Sequence, residues 1–99
     1  MANLNAALNQ IRKTRQQLDV PRTQNFDNYR ANYKTLLEAT ETLTGDEGFE
    51  ELKEWIIQVT ENRKRLPTPS EVQDRARIIC HDRSVDIPRS SPLYSEDSE

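Results

Sequence analysis

The sequence of 99 residues is poor in the residues that build tight turns, disulfides and metal sites. It contains two glycines, one cysteine, one histidine and one tryptophan. Because tight hairpin turns commonly need glycine, this composition argues against an architecture of strands and turns. A single cysteine, Cys80, excludes an internal disulfide framework. With only one histidine beside it, a zinc site of ordinary nitrogen and sulfur ligands is also excluded.

The sequence also lacks a long apolar run. A membrane-spanning helix needs about 20 apolar residues, and no stretch of this chain approaches that length. No unbroken apolar stretch follows the N-terminus, so a secretory signal is not indicated. Since the lone cysteine suits a reducing compartment, we expect a cytoplasmic protein that does not bind membranes.

Catalytic signatures are missing as well. The sequence has no glycine-rich phosphate loop, no nucleophile elbow and no paired-histidine zinc motif. Cys80 and His81 are neighbours, but neighbours on a helix point about 100° apart and cannot act as a nucleophile and its base. We therefore expect a protein that is not an enzyme and that carries no cofactor or metal.

What the sequence does contain is charge, arranged in blocks. Hydrophobic residues make up 33% of the chain and charged residues 31%, with a mean hydropathy of -0.95. The net charge of -3 hides a first block of +4 over residues 1–34 and a second of -7 over 35–61. Residues 62–89 carry +3, and the last ten residues carry -3. Blocks of alternating sign attract one another, either within a fold or across a homo-oligomer.

Apolar residues recur at helical spacing in four segments of the chain, which predict helices at about 3–18, 25–43, 47–65 and 69–83. The third segment has acidic residues in its first turn and basic residues in its last, as the helix dipole favours. Val85 and Ile87 alternate with polar residues and predict an extended stretch that can lie against the helices. The fold class is therefore predicted to be all-α, a small bundle of three to four helices. Residues 1–88 form the helical domain, and an extended, partly disordered C-terminal arm ends in a disordered tail over 89–99.

The clearest local signal is the start of the fourth helix, at Pro67-Thr68-Pro69-Ser70-Glu71-Val72. Thr68 suits the cap, Pro69 the first helical position, and Glu71 the closing position of a capping box. Together with Ala76, this run resembles the first helix of a helix-turn-helix DNA-binding unit, which implies a recognition helix after a tight turn. The following stretch contains two prolines and no amphipathic repeat, so no recognition helix is predicted. A capped helix at the end of a bundle accounts for the same residues.

Two charged surfaces are the candidate partner-binding sites. The acidic surface consists of Glu47, Glu50, Glu51 and Glu54. The basic surface consists of Arg63, Lys64, Arg65, Arg75 and Arg77. With a thin core and no catalytic constellation, these surfaces predict a protein–protein interaction module, a small adaptor or regulatory subunit whose protein partner is unidentified.

Two alternatives stay open. The basic cluster at residues 63–77 could bind nucleic acid, in which case affinity would fall steeply with salt. The chain could also be one component of a larger assembly, or a homo-oligomer, with the first helix or the tail becoming ordered on binding.

Overall fold

The computed structural model describes residues 3–18 and 26–94, and within these ranges it contains three α-helices and no strand. Helix α1 covers Leu4–Gln17, α2 covers Phe26–Arg63 and α3 covers Pro69–Asp82. α2 packs against both α1 and α3, so it forms the centre of the bundle. The predicted all-α fold class is confirmed. None of these helices is both long and apolar enough to cross a bilayer.

The long helix α2 contains a kink at Gly45, where the sequence predicts the gap between two separate helices. Gly45 has φ 78° and ψ -167°, a backbone region that is open essentially to glycine alone. A Cβ at this position would meet no atom within 4 Å, so glycine is required by the backbone conformation and not by crowding. The second and third predicted helices are thus the two arms of α2, a first arm over 26–44 and a second arm over 46–63, and the bundle has three helices.

Threonine hydroxyls line the approach to the kink. Thr40 Oγ1 donates to the carbonyl of Leu36 at 2.8 Å, and Thr44 Oγ1 donates to the carbonyl of Thr40 at 2.6 Å. Hydrogen bonds of this kind satisfy a hydroxyl inside a helix and tend to bend it. Gly48 makes room for the arrangement, because a Cβ there would overlap the Thr44 side chain.

One apolar cluster holds the three helices together. Its largest fully buried members come from all three helices and from the segments that follow α2 and α3: Leu8, Ile11, Tyr33, Leu37, Phe49, Leu52, Ile56, Leu66, Val72, Ile79 and Leu93. Val85 and Ile87 pack against this cluster, as their alternation predicts. The Tyr33 hydroxyl donates to the carbonyl of Pro67, which ties the segment between α2 and α3 to the first arm.

Side-chain caps begin α1 and α3, and the cap of α3 is the one that the sequence predicts. Asn3 Oδ1 accepts from the amide of Ala6 at 3.0 Å at the start of α1. At the start of α3, Thr68 Oγ1 accepts from the amide of Glu71 at 3.2 Å, and Glu71 Oε2 accepts from the amide of Thr68 at 2.8 Å. This reciprocal pair completes the capping box. It satisfies amides that would otherwise lack a partner in the first turn of α3.

The C-terminal arm stays packed against the helices as far as Leu93, which is further than the sequence predicts. A disordered tail is predicted from residue 89, but Leu93 is 0% exposed and belongs to the core cluster. Gln73 Nε2 donates to the carbonyl of Pro92 at 2.7 Å and fixes the arm to α3. The prediction is therefore wrong for residues 89–94, because one buried leucine and one hydrogen bond anchor an otherwise polar segment. The predicted tail beyond Tyr94 lies outside the described residues.

We expect Gly45→Ala to lower the free energy of unfolding by about 1–3 kcal/mol, because alanine is strained in the Gly45 backbone conformation. Urea denaturation measures this change. A synthetic chain with D-alanine at position 45 is the matched control, since the mirror image of this conformation is an ordinary extended one. Equal destabilisation by both forms of alanine would show that the cost is not conformational.

We expect Leu93→Ala to lower the free energy of unfolding by about 2–4 kcal/mol, because it leaves a cavity in the core. The exposed Arg89→Ala is the control in the same arm and should change stability by less than about 0.5 kcal/mol. Urea denaturation of the two variants checks the assignment. A Leu93 variant as stable as the parent chain would mean that the arm contributes nothing to the fold.

Candidate functional site

The predicted acidic and basic surfaces meet along the seam between the second arm of α2 and α3. Glu51 Oε1 lies 2.8 Å from Arg83 Nη1, and Glu51 Oε2 lies 3.9 Å from Arg75 Nη2. Glu51 therefore faces α3 and contacts one arginine of that helix, Arg75, and the arginine at its C-terminal cap, Arg83. The two predicted surfaces therefore touch at this point, because Glu51 of the acidic surface contacts Arg75 of the basic surface.

The other members of the acidic surface stay on their own helix. Glu50 Oε1 pairs with Lys53 Nζ at 2.8 Å, one turn further along α2. The remaining two members, Glu47 and Glu54, are exposed. Among the described residues, no group of three or more His, Cys, Asp or Glu side chains is arranged to hold a metal ion.

Two arginines of the basic surface bind a single carboxylate at the start of α3. Arg65 Nη1 and Nη2 contact Glu71 Oε2 and Oε1, each at 3.3 Å, in a bidentate pair. Arg63 Nη1 contacts Glu71 Oε1 at 3.3 Å. The hydrogen bonds from Arg65 and from the Thr68 amide hold the pKa of Glu71 below its usual range, against the opposing effect of burial.

The last two members of the basic surface behave differently from each other. Arg77 pairs with Asp74 one turn earlier on α3. Lys64 is exposed and has φ 55°, the left-handed conformation often found just after a helix end. Four of the five predicted cations therefore have a carboxylate partner within the chain. This pairing reduces the positive potential that a phosphate backbone would meet.

A shallow groove of about 230 Å³ opens at the same seam. Its lining consists of Trp55, Arg63, Glu71, Asp74, Arg75 and Ile78. Ile78 is 47% exposed, and no other large apolar side chain is classed as exposed in the part of the chain that the structure describes. The Arg75 guanidinium carbon lies 6.0 Å from the centroid of the Trp55 ring, within the range of a cation–π contact. We call this feature the Trp55–Ile78 groove.

Sequence reasoning did not single out either apolar residue of this groove as functional. Trp55 lies at the edge of the apolar stripe of its helix, and the structure shows it half-buried. Ile78 carries a signal that could have been used, because it directly precedes Ile79. Two neighbours on a helix point about 100° apart, so both cannot face α2. The buried stripe of α3 takes Ile79, and Ile78 is left at the surface.

The lone cysteine lies on the opposite, buried side of α3. Cys80 is free and 0% exposed. Burial raises the pKa of its thiol, although the nearby Arg83 acts in the other direction. A buried thiol that is held protonated is a weak nucleophile, so its position is that of a small core side chain.

We expect Glu71→Gln to lower the free energy of unfolding by about 1 kcal/mol at neutral pH, through the loss of two surface ion pairs and of the charge that strengthens the hydrogen bond from the Thr68 amide. Because the folded pKa of Glu71 is lowered, its contribution is fully present above the unfolded value near 4.5 and is lost as pH falls through the folded pKa. The difference between the parent chain and the variant should therefore shrink below about pH 4.5. Urea denaturation from pH 7 to pH 3 measures it.

The exposed Glu47→Gln is the control for this experiment, and we expect it to change stability by less than about 0.5 kcal/mol at neutral pH. If the cost of Glu71→Gln stayed constant down to pH 3, the ionised carboxylate would not be the source of the stabilisation.

Comparison of the chain with protein-family models, with curated proteins and with solved structures gave no match. The function is therefore inferred from the contacts and charges of the Trp55–Ile78 groove and its surroundings.

Proposed function

We propose that this protein is a non-enzymatic protein–protein interaction module, a small adaptor or regulatory subunit, and that it binds its partner through the Trp55–Ile78 groove. The observation that carries the proposal is the exposed Ile78 beside the half-buried Trp55 and the Arg75 guanidinium. Tryptophan and arginine are the residues that most often dominate the binding energy of protein interfaces. A central apolar contact with a polar rim is the usual anatomy of such an interface.

The charge arrangement supports a protein partner over a nucleic acid. Glu71 and Asp74 line the groove together with Arg63 and Arg75, so the groove carries both signs of charge. Phosphate groups would be repelled by its carboxylates, whereas a protein surface can present complementary charges of both signs. On this proposal the exposed members of the acidic surface, Glu47 and Glu54, contribute to the rate and specificity of association more than to affinity.

The same proposal includes a cytoplasmic location. Cys80 is buried and free, so nothing about it requires an oxidising compartment.

The proposal is tested by affinity capture from an extract of the source cells, with the full chain as bait. We expect a bait with Ile78→Glu no longer to capture the proteins that the parent chain captures, because the substitution places a charge at the centre of the apolar contact. The matched control is Asn28→Glu, at an exposed position on the first arm of α2. Circular dichroism of the purified baits verifies that each variant is folded.

Each capture is run with and without nuclease treatment. Retention that survives nuclease and is lost only with Ile78→Glu supports the proposal. Retention that disappears with nuclease would favour nucleic-acid binding through the basic surface. Retention of the same proteins by both variants would rule out the Trp55–Ile78 groove as the binding site.

A further inference from the structure

The chemistry of the partner can be inferred from two unfilled contacts in the Trp55–Ile78 groove. The first is apolar. The buried stripe of α3 faces α2 through Val72, Ala76 and Ile79, which leaves Ile78 at the surface. Trp55 is half-buried and lines the same groove from the second arm of α2. A leucine-sized side chain placed between the two would cover apolar surface that the chain itself leaves in water.

The second unfilled contact is the guanidinium of Arg75. Arg65 is held by a bidentate pair with Glu71, and Arg77 by Asp74. Within the described residues, by contrast, Arg75 donates no hydrogen bond, and its Nε is buried without a partner. Its ion pair with Glu51 is long, at 3.9 Å, and the side chain keeps 35% of its surface exposed.

An arginine in this state suits an incoming carboxylate. The guanidinium offers five donors in a planar fork, which matches the two oxygens of a carboxylate. The guanidinium carbon lies 6.0 Å from the centroid of the Trp55 ring, and 35% of the side chain is exposed, so a carboxylate can reach Arg75 from the solvent side. A carboxylate brought there would form the charge-assisted hydrogen bonds that the fold does not supply.

A second copy of this chain is a poor occupant of the groove. Asp74 and Asp82 lie one turn before and one turn after Ile78, on the same face of α3. A two-fold pairing of α3 around Ile78 places Asp74 opposite Asp82 if the helices are antiparallel, and Asp74 opposite its own copy if they are parallel. Both arrangements bring like charges together one turn away from Ile78.

We propose that the Trp55–Ile78 groove binds an amphipathic helix of a partner protein, whose apolar side chain packs on Trp55 and Ile78 and whose flanking carboxylate pairs with Arg75. Arg75 precedes Ile78 by three residues, so the two lie one turn apart on the same face of α3. A partner helix that lies along α3 can contact Arg75 with its carboxylate and Ile78 with its apolar side chain when these two groups are also three or four residues apart. This inference rests on the proposed function, because it specifies the partner of the same groove.

The test uses a peptide of about 18 residues, long enough to form a helix in water. The peptide is alanine-rich and contains no tryptophan. It carries a leucine stripe, with glutamates three or four residues from the leucines. Trp55 is the one tryptophan of the chain, so its fluorescence reports occupation of the groove directly. We expect a saturable change in Trp55 emission, and at least about tenfold weaker binding when the glutamates of the peptide are replaced by glutamine.

Variants of the chain assign the two contacts. Arg75→Gln should bind the glutamate peptide as weakly as it binds the glutamine peptide, and Arg75→Lys should fall between, because lysine keeps the charge without the fork. Ile78→Asp should weaken both peptides at least about 30-fold. The exposed Arg30→Gln, on the first arm of α2, is the matched control and should bind both peptides as the parent chain does.

Equal binding of the glutamate and glutamine peptides by the parent chain would overturn the assignment of an acidic partner. If Ile78→Asp still weakened the binding of both peptides, the groove would remain an interaction site and only the acidic character of the partner would be wrong. Failure of every peptide to change Trp55 emission would also overturn the inference. The capture experiment with Ile78→Glu then decides separately whether the proposed function fails with it.

Discussion

The carboxylate of Glu71 is the polar contact that joins the first turn of α3 to the end of α2, beside the apolar core that packs the two helices together. It accepts the Thr68 amide at the start of α3 and two guanidinium groups from the end of α2, those of Arg63 and Arg65. One charged group thus satisfies the first turn of one helix and fixes it to the end of another. The buried Tyr33 hydroxyl adds a further tie to the same short connection through the carbonyl of Pro67.

The fixed position of α3 determines how the charge blocks are used. The strongly acidic block and the basic block that follows it lie on adjacent helices, so their opposite charges pair across the seam. Glu51 of the acidic block pairs with Arg83, and Glu71 pairs with Arg65 inside the basic block, so neither carboxylate is fully free for a partner. Part of the charge that first suggests two binding surfaces is therefore paired within the chain, while Glu47 and Glu54 stay exposed. The residues left with unfilled contacts are the apolar Ile78 and the loosely held Arg75.

The sequence was most informative where the signal was local. The capping box at Thr68 and Glu71 involves residues three apart, and the predicted start of α3 is confirmed. The buried stripe of α3 follows from its period alone. By contrast, the gap predicted around Gly45 was too wide, because a single residue with positive φ can redirect a helix without a loop. The packing of Leu93 was also missed, since a polar segment around one leucine has the composition of a disordered tail.

The sequence by itself determined the helical class, the caps and the apolar faces, because these depend on contacts between residues within one or two turns of each other. Only the tertiary structure decided which charges are paired and which apolar side chain is left uncovered. Glu51 and Arg83 are far apart in the chain, and Ile78 is exposed only because Ile79 takes the place against α2. Charge pairing and side-chain exposure depend on how α2 and α3 are placed relative to each other, and no local sequence pattern encodes that placement.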